Sequence, residues 1–366
     1  MDAQVWYKIG LYVIPLGISA ALVPLVKRIA WKLNIFAVEN KRTVHHGKIA
    51  RVGGIAVYIA FIVTSLIFLK ADVALRGILL GGFVIFLGGL LDDIYDLKAW
   101  MKLIFQSAGA IILMTVGKLD LGILHLPFGI VIPVSFVSYI ITFFWIIGIT
   151  NAINLLDGLD GLSSGFSIII LFTICLLTTV NGRVDVLKIS LVLAGATTGF
   201  LFYNFHPASI FIGDCGAQFL GFMIAAISLL GFKGGTVITM MIPIILLFLP
   251  IMDTLSAILR RKLNGHKFSD PDMGHFHHAL MRTWGLGQRE TVLIIYAITA
   301  LFGFDAYLYA INPTIGLLML VVLIIACDLF IETTGMVTKK YHPLLSILRK
   351  IKHVVVKEDK KDEKPL

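Results

Sequence analysis

The chain has 366 residues, of which 58% are apolar and only 14% are charged. Soluble domains carry about 45 to 50% apolar residues, whereas the mean hydropathy of this chain is +0.93. This composition excludes a soluble globular protein and indicates an integral membrane protein. The formal net charge of +9 requires no nucleic-acid partner, because membrane proteins collect Lys and Arg on their cytoplasmic loops.

Apolar runs repeat along nearly the whole chain, and a run of about 20 residues is needed to cross the hydrocarbon core as a helix. They predict an all-α, polytopic membrane protein with about eleven transmembrane helices. Little chain remains for a soluble domain, so we predict one transmembrane domain over 1–335 and a basic tail over 336–366. The predicted spans centre on 7–26, 54–69, 75–91, 103–117, 131–150, 162–180, 188–203, 217–231, 236–258, 291–308 and 314–331.

The charges predict the orientation of these spans. With the N-terminus outside, 24 of the 31 Lys and Arg residues fall on inner segments and seven on outer ones. This asymmetry follows the positive-inside rule and places the C-terminal tail in the cytoplasm. The side chains suited to chemistry also fall on the inner face, at Asp92, Asp93, Asp96, Asp157, Asp160, Asp214, His275, His277 and His278.

The first polar cluster, "GGLLDDIYDLKAWMK", ends the third predicted span. If the helix continues, Asp92, Asp93 and Asp96 crowd one helix end, and a hard divalent cation would relieve their repulsion. Mg²⁺ suits such a site because it takes oxygen ligands and is commonly shared with substrate phosphates. The alternative is an acidic, solvated helix end.

The second cluster, "NAINLLDGLDGL", places Asn151, Asn154, Asp157 and Asp160 three residues apart. Three helical residues turn the chain by about 300°, so each side chain steps back by about 60°, and a straight helix would spread the four apart. Gly158 therefore predicts a break that lets them converge. Irregular backbone at membrane depth is tolerated where it is buried or lines a wet cavity, which favours a cavity wall over a plain loop.

The third cluster, "NFHPASIFIGDCGA", places Asp214 directly before an apolar span. A helix N-terminus there would offer free N–H groups to an anion or to a metal–phosphate pair. Phe211, three residues earlier, could stack on a base. The alternative is an N-capping aspartate beside a core phenylalanine.

The fourth cluster, "RRKLNGHKFSDPDMGHFHHALMRTWG", holds His275, His277 and His278 in a basic loop. It predicts an anion-binding surface or a zinc site, and the carboxylates elsewhere favour the anion, since they point to a hard metal. Asp253, in the preceding apolar run, is an ionisable group at membrane depth and is expected to have a partner.

These four segments, in this order, resemble the polyprenyl-phosphate N-acetylhexosamine-1-phosphate transferase family, which is glycosyltransferase family 4, over about residues 35–290. Its members make the first lipid intermediate of peptidoglycan or start common antigen, O-antigen and wall teichoic acid synthesis. The resemblance implies a multi-pass enzyme of the bacterial cytoplasmic membrane with a catalytic domain over 1–335. It also implies Mg²⁺, with Mn²⁺ as a substitute, a polyprenyl phosphate and a UDP-sugar as substrates, UMP as a product, and a homodimer.

The resemblance implies roles for the residues of this chain that match the family's motifs. Asp92 and Asp93 correspond to the family's catalytic aspartates, and Asp214 to its metal ligand. The loop "RTVHHGKIARVGG" matches a basic family pattern but has Thr43 and Ala50 where Lys and Pro are usual. Implied substrate-binding residues are Asn154, Asp157, Asp160, Asn204, Phe211, Lys102, His275, His277, His278, His45 and Lys48.

The branch within the family is predicted by "HFHHALMRTWG", which resembles the enzymes that use UDP-N-acetylglucosamine (UDP-GlcNAc) and undecaprenyl phosphate. The peptidoglycan enzyme, which uses UDP-MurNAc-pentapeptide, carries three consecutive histidines instead. Two rival classes fit less well. An ion-coupled transporter predicts acids at the bilayer midplane and an internal repeat, and a membrane prenyltransferase needs a second Asp-rich motif.

Overall fold

The computed structural model describes residues 3–37, 48–122, 124–125, 131–132, 135–232, 237–265, 274–337, 343–344 and 346. Most of the predicted tail over 336–366 lies outside these residues. The helices are α1 (Ala3–Lys32), α2 (Gly54–Phe68), α3 (Val73–Tyr95), α4 (Ala99–Thr115), α5 (Ser135–Leu156), α6 (Leu162–Asn181), α7 (Val184–Asn204), α8 (Gly213–Phe232), α9 (Val237–Leu246), α10 (Phe248–Leu263), α11 (Phe276–Trp284), α12 (Gln288–Ile311) and α13 (Pro313–Thr334). Two short antiparallel hairpins pair β1 (Phe36–Ala37) with β2 (Ile49–Ala50) and β3 (Leu124–His125) with β4 (Val131–Ile132).

The prediction of an all-α, polytopic membrane protein is confirmed. Within the described residues, eight helices are long and apolar enough to cross a membrane, and the pair α9–α10 gives a ninth if it counts as one span. Helices α2 and α4 are apolar but shorter, with 15 and 17 residues.

The ninth predicted span, 236–258, is not a single straight helix. It breaks at Leu247, and α10 turns away from α9 by 72°. Pro250 stands four residues after Leu246 and has no N–H to donate to its carbonyl, so the helical hydrogen-bond ladder is interrupted there and restarts in α10.

Helix α8 forms the centre of the bundle, and its membrane-length window is buried throughout. Neighbouring helices approach the start of α8 closely because glycines face it. A Cβ on Gly54 of α2 would lie 2.3 Å from the Cα of Gly216, and a Cβ on Gly89 of α3 would lie 2.6 Å from the carbonyl oxygen of Asp214. The first turn of α8 is therefore enclosed by the start of α2 and the end of α3.

The predicted break after "NAINLL" is confirmed. Helix α5 ends at Leu156, α6 begins at Leu162, and Gly161 takes a left-handed conformation with φ of 76°. The segment before α8 is fixed to β2 and the start of α2, because Phe211 N–H donates to the Ala50 carbonyl at 2.8 Å and Gly53 N–H donates to the Phe211 carbonyl at 2.9 Å. These connections bring the distant polar clusters to one place.

Candidate active site

A polar cavity of about 390 Å³ lies where these helix ends and links meet. Seven of the residues singled out in the sequence line it: Asn154, Asp157, Asp160, Asn204, Phe211, Asp214 and His278. The rest of the lining is Ala37, Arg51, Gly158, Leu159, Ile212, Gly213 and Gln288. The structure thus brings together three of the four sequence clusters along its wall, and the first cluster lies directly behind it.

Arg51 connects the carboxylates at one end of the cavity. Its Nε lies 3.1 Å from Asp93 Oδ1, its Nη1 lies 3.2 Å from Asp96 Oδ1, and its Nη2 lies 3.3 Å from Asp214 Oδ2. The Asp93 side chain is fully buried, whereas that of Asp96 is 86% exposed. A guanidinium suits this position because its donors diverge in a plane and can contact several carboxylates at once.

Asp93 accepts hydrogen bonds from the start of α8. Its Oδ1 accepts from Asp214 N–H at 2.9 Å, and its Oδ2 accepts from Cys215 N–H at 3.0 Å. The expectation of free N–H groups at this helix N-terminus is therefore wrong for these two donors, since a carboxylate of the chain itself takes them. A negative charge there is favourable because it faces the positive end of the helix dipole.

Gly213 permits this approach. Its φ is 74°, and a Cβ at this position would lie 1.9 Å from the Arg51 carbonyl oxygen and 2.6 Å from Asp93 Oδ2. The site therefore needs glycine at position 213 both for its backbone conformation and for its space.

Asp92 has different partners from its neighbour. Its Oδ1 accepts from Leu97 N–H at 2.8 Å, and its Oδ2 forms an ion pair with Lys102 of α4. Helix α3 ends at Tyr95, and Asp96 is left-handed with φ of 48°. The helix does not continue through Asp96, so the three aspartates do not share one helix face. Asp92 contacts Lys102, whereas Asp93 and Asp96 both contact Arg51.

Asp214 is the carboxylate of this group that faces the cavity, with 21% of its side chain exposed. Asn154 Nδ2 donates to its Oδ1 at 3.0 Å, and Lys102 Nζ lies 3.6 Å from the same atom. Arg51 contacts the other oxygen. Asp214 is therefore oriented by an amide and two cations, while part of it remains accessible from the cavity.

The donor set around Asp214 suits Mg²⁺ better than Zn²⁺. In the part of the chain that the structure describes, no three His, Cys, Asp or Glu side chains are grouped so that they could hold a metal ion. A structural zinc site requires four such ligands and a catalytic one requires three. Mg²⁺ in phosphate-transfer sites commonly uses one or two carboxylates and completes its shell with substrate phosphates and water.

Asp157 lies in the link between α5 and α6, where it accepts a hydrogen bond from Ser163 Oγ at 2.5 Å. Burial raises the pKa of Asp157 to about 7, and the negative charges of Asp214, Asp93 and Asp160 act in the same direction. The Ser163 hydrogen bond favours the ionised form and opposes this shift. Asp157 is therefore poised to change its protonation state near neutral pH.

Asp160 and Asn204 hold the turn that precedes α8. Asp160 Oδ2 lies 2.8 Å from His206 Nδ1 and accepts from Ala208 N–H at 3.0 Å. Asn204 accepts from Ser164 Oγ at 2.9 Å and donates to the Ile210 carbonyl at 3.1 Å. Both side chains thus line the cavity and also fix the backbone that forms its wall. The sequence did not indicate this second, structural role.

The three histidines have three different environments. His278 lines the cavity, and His275 is buried and lies 2.9 Å from Asp253 through its Nδ1. His277 is 2% exposed, and neither ring nitrogen has a hydrogen-bond partner within the described residues. Burial lowers the pKa of His277 well below its usual range, and the neighbouring histidines act in the same direction, so its ring is neutral at pH 7. The expected partner of Asp253 is confirmed as His275.

Of the two residues predicted from the basic loop, Lys48 does not line the cavity. Lys48 is exposed, with its ammonium 5.7 Å from the centre of the Phe36 ring. His45 lies outside the described residues, so its predicted role stays a prediction.

Sequence reasoning missed Arg51, Gln288 and His206. Arg51 carried a signal, because it stands in the loop "RTVHHGKIARVGG" that matched the basic family pattern. His206 lies within the third cluster, but a single histidine beside a proline does not mark it as a partner of Asp160. Gln288 begins a helix and has no feature in the sequence that marks it.

Comparison with known proteins agrees with this geometry. Residues 75–232 match the model of glycosyl transferase family 4. A probable undecaprenyl-phosphate N-acetylglucosaminyl 1-phosphate transferase of Bacillus subtilis is 40% identical over 344 residues, which cover 93% of this chain and 96% of that protein. A decaprenyl-phosphate N-acetylglucosaminephosphotransferase of Mycobacterium tuberculosis is 33% identical, covering 79% of this chain and 80% of that protein.

An undecaprenyl-phosphate alpha-N-acetylglucosaminyl 1-phosphate transferase of Escherichia coli is 28% identical, covering 75% of this chain and 76% of that protein. The chain belongs to glycosyl transferase family 4. The resemblance drawn from the four sequence clusters is thereby confirmed.

Proposed function

We propose that this protein transfers GlcNAc-1-phosphate from UDP-GlcNAc to undecaprenyl phosphate, giving undecaprenyl-diphospho-GlcNAc and UMP. The observation that carries the proposal is a polar cavity in which Asp214 is flanked by Arg51 and Lys102. The names of the Bacillus subtilis and Escherichia coli relatives support the choice of sugar and lipid. The product would start a cell-envelope polysaccharide such as teichoic acid, O-antigen or common antigen.

The charges around the cavity suit a reaction between two anions. The phosphate of the lipid must approach the diphosphate of the nucleotide sugar, and fixed cations offset their repulsion. Phosphoryl transfer depends mainly on such positioning and charge stabilisation. Arg51 and Lys102 would supply two positive charges, and His278 and Asn154 would supply polar contacts to the diphosphate.

Mg²⁺ is part of the proposal, with Mn²⁺ as a substitute. Asp214 would hold it, because this carboxylate reaches the cavity while its neighbours Asp92 and Asp93 are buried behind it. The ion would neutralise charge on the diphosphate and polarise the bond to the leaving UMP. The nucleoside would lie along Asp157, Asp160, Asn204 and Phe211.

The two adjacent aspartates are proposed to have separate parts. Both oxygens of Asp93 accept hydrogen bonds from the start of α8, so Asp93 fixes the position of Asp214. Asp92 pairs with Lys102, and Lys102 also reaches Asp214. Lys102, whose side chain is partly exposed, would therefore orient the incoming lipid phosphate, and the buried Asp92 would hold Lys102 in place.

The membrane arrangement completes the proposal. Eight long helices, the short helices α2 and α4, and the bent pair α9–α10 would together give eleven crossings, with the N-terminus outside and the C-terminus in the cytoplasm. The distribution of Lys and Arg supports this orientation and would place the cavity at the cytoplasmic face of a bacterial cytoplasmic membrane. A homodimer belongs to the proposal on the family resemblance alone.

The test is a transfer assay with the purified protein in detergent. UDP-GlcNAc labelled in the sugar, undecaprenyl phosphate and Mg²⁺ should give labelled lipid and one UMP per lipid formed. UDP-MurNAc-pentapeptide should give neither. Turnover of the pentapeptide substrate without turnover of UDP-GlcNAc would refute the proposed sugar.

A further inference from the structure

Asp253 of α10 is buried and does not line the cavity. It contacts the start of residues 275–278, which carry the three histidines and are called the histidine segment below. Its Oδ2 lies 2.9 Å from His275 Nδ1, and its Oδ1 accepts from Phe276 N–H at 2.8 Å. The residue is 2% exposed. Each carboxylate oxygen thus has one partner, and the two partners are consecutive residues at the N-terminus of α11.

This geometry determines where the proton of His275 lies. An ionised carboxylate can only accept hydrogen bonds, so the ring nitrogen that faces it must carry a proton. Nδ1 is therefore the protonated nitrogen, and Nε2 is left for another partner. The hydrogen bond that one ring nitrogen makes sets the role of the other.

The second hydrogen bond fixes the backbone. Phe276 N–H is one of the donors at the start of α11 that have no partner within the helix, and Asp253 satisfies it. Arg260, further along α10, packs against Gly274, the residue before His275. A Cβ on Gly274 would lie 2.2 Å from the Cζ of Arg260. Helix α10 therefore supports both the ring of His275 and the chain that leads into it.

His275 is connected to the cavity through its neighbours. The rings of His275 and His277 are nearly parallel, with centres 6.0 Å apart. His277 packs on the cavity residue Gly158, where a Cβ would lie 2.4 Å from Nε2, and His278 lines the cavity itself. A change at Asp253 that moves His275 would therefore also move His277 and His278, which contact or line the cavity.

We propose that Asp253 is a positioning residue of the transferase, which holds the proton on His275 Nδ1 and anchors α11 so that the histidine segment meets the nucleotide-sugar diphosphate. The inference rests on the function proposed above. Asp253 itself touches no substrate.

The informative variant is Asp253→Asn, which keeps the size of the side chain. Its single oxygen can still accept from Phe276 N–H, but its amide group then donates toward His275 Nδ1. The proton of the ring must move to Nε2. We expect the KM for UDP-GlcNAc to rise by about 10- to 100-fold, the usual effect of losing a hydrogen bond to a charged group. The KM for undecaprenyl phosphate should stay within about twofold of the wild-type value.

The second readout is the protonation of the ring. Protein labelled with ¹⁵N-histidine should show a protonated Nδ1 for His275 in the wild type and an unprotonated Nδ1 in Asp253→Asn, with His275→Gln assigning the signal. The matched control is Asp305→Asn. Asp305 is also fully buried, and neither carboxylate oxygen has a hydrogen-bond partner in the described part of the chain, so this variant should keep both KM values.

The outcomes separate the inference from the proposed function. A wild-type protein that transfers no GlcNAc-1-phosphate refutes the function. An active wild type whose Asp253→Asn variant folds with an unchanged KM for UDP-GlcNAc overturns the inference alone. An unprotonated Nδ1 on His275 in the wild type also overturns it, and that result does not depend on whether the variant folds.

Discussion

The guanidinium of Arg51 lies 3.3 Å from the carboxylate of Asp214 and 3.1 Å from that of Asp93, so one cation joins the two aspartates. Asp93 is buried and accepts backbone hydrogen bonds, whereas Asp214 reaches the cavity. Arg51 therefore stands between the part of the site that is structural and the part that can meet a ligand.

Replacing Arg51 with lysine should impair the enzyme while leaving the fold intact. A single ammonium cannot make the three divergent contacts of a guanidinium. We expect kcat/KM for UDP-GlcNAc to fall by about 10- to 100-fold, measured by UMP release. Arg183→Lys, which alters a half-buried pair with Asp185 outside the cavity lining, is the matched control and should change little. Equal activity in Arg51→Lys and wild type would show that the three contacts are dispensable.

Asp214→Asn tests the metal assignment. An amide is a poorer Mg²⁺ ligand than a carboxylate, so Mg²⁺-dependent turnover should fall by about 100- to 1,000-fold, as expected from losing a metal's charge stabilisation. We also expect Mg²⁺ and UDP-GlcNAc together to raise the melting temperature of the wild type but not that of Asp214→Asn. Asp96→Asn removes another carboxylate that contacts Arg51, but this one is exposed, and exposed ion pairs contribute little. Near-normal Mg²⁺ dependence in Asp214→Asn would reject the assignment.

Gly158→Ala tests the contact between the link and the histidine segment. The added Cβ would lie 2.4 Å from His277 Nε2, so the ring or the link must move. We expect a lower melting temperature and a fall in kcat/KM for UDP-GlcNAc. Gly148→Ala in α5 is the control, because its added Cβ meets nothing within 4 Å. That change should be neutral or slightly stabilising, since alanine favours the helix. Identical behaviour of the two variants would argue against the tight contact.

Asp157 predicts a pH dependence of stability. Burial raises its pKa to about 7 in the folded protein, from an ordinary value of 3.8, so the folded state binds the proton more tightly than the unfolded chain. This difference in pKa adds to the free energy of unfolding. The contribution is fully present below pH 3.8 and is lost as the pH rises through about 7. Asp157→Asn cannot ionise and should lose less melting temperature than the wild type between pH 5 and pH 8 in detergent.

The control for this prediction is Ser163→Ala, which removes the hydrogen bond that favours the ionised carboxylate. It should make the loss of melting temperature between pH 5 and pH 8 steeper. Parallel melting curves for all three proteins across this interval would show that Asp157 does not titrate there.

Much of the site could be predicted from local patterns. The break at 157–161 followed from glycines and from polar residues at a spacing that a straight helix cannot bring together. The expectation that Asp253 has a partner, though not which one, followed from the cost of an unpaired charge at membrane depth. Both are properties of short stretches of chain, and the structure confirms both.

The remaining features depend on contacts between distant residues. Asp93 and the N–H of Asp214 are 121 positions apart, and they meet because Gly89 and Gly213 allow the backbones to approach. Nothing in the sequence near Asp93 marks it as the acceptor for α8. The break between α9 and α10 had a local signal in Pro250, but the apolar run hid it, because hydrophobicity alone does not distinguish one straight helix from two joined at 72°.

The hydrogen bonds from the start of α8 to Asp93 have a consequence for ligand affinity. Many phosphate-binding proteins attract their ligand with the exposed N-terminus of a helix, a permanent feature of the backbone. Here two of those N–H groups, on Asp214 and Cys215, already donate hydrogen bonds to the carboxylate of Asp93. Attraction for a diphosphate must then come from side-chain cations such as Arg51 and Lys102, and from the proposed metal ion. If Asp214 holds a divalent cation as proposed, occupancy by nucleotide sugar should therefore rise with the free concentration of that cation.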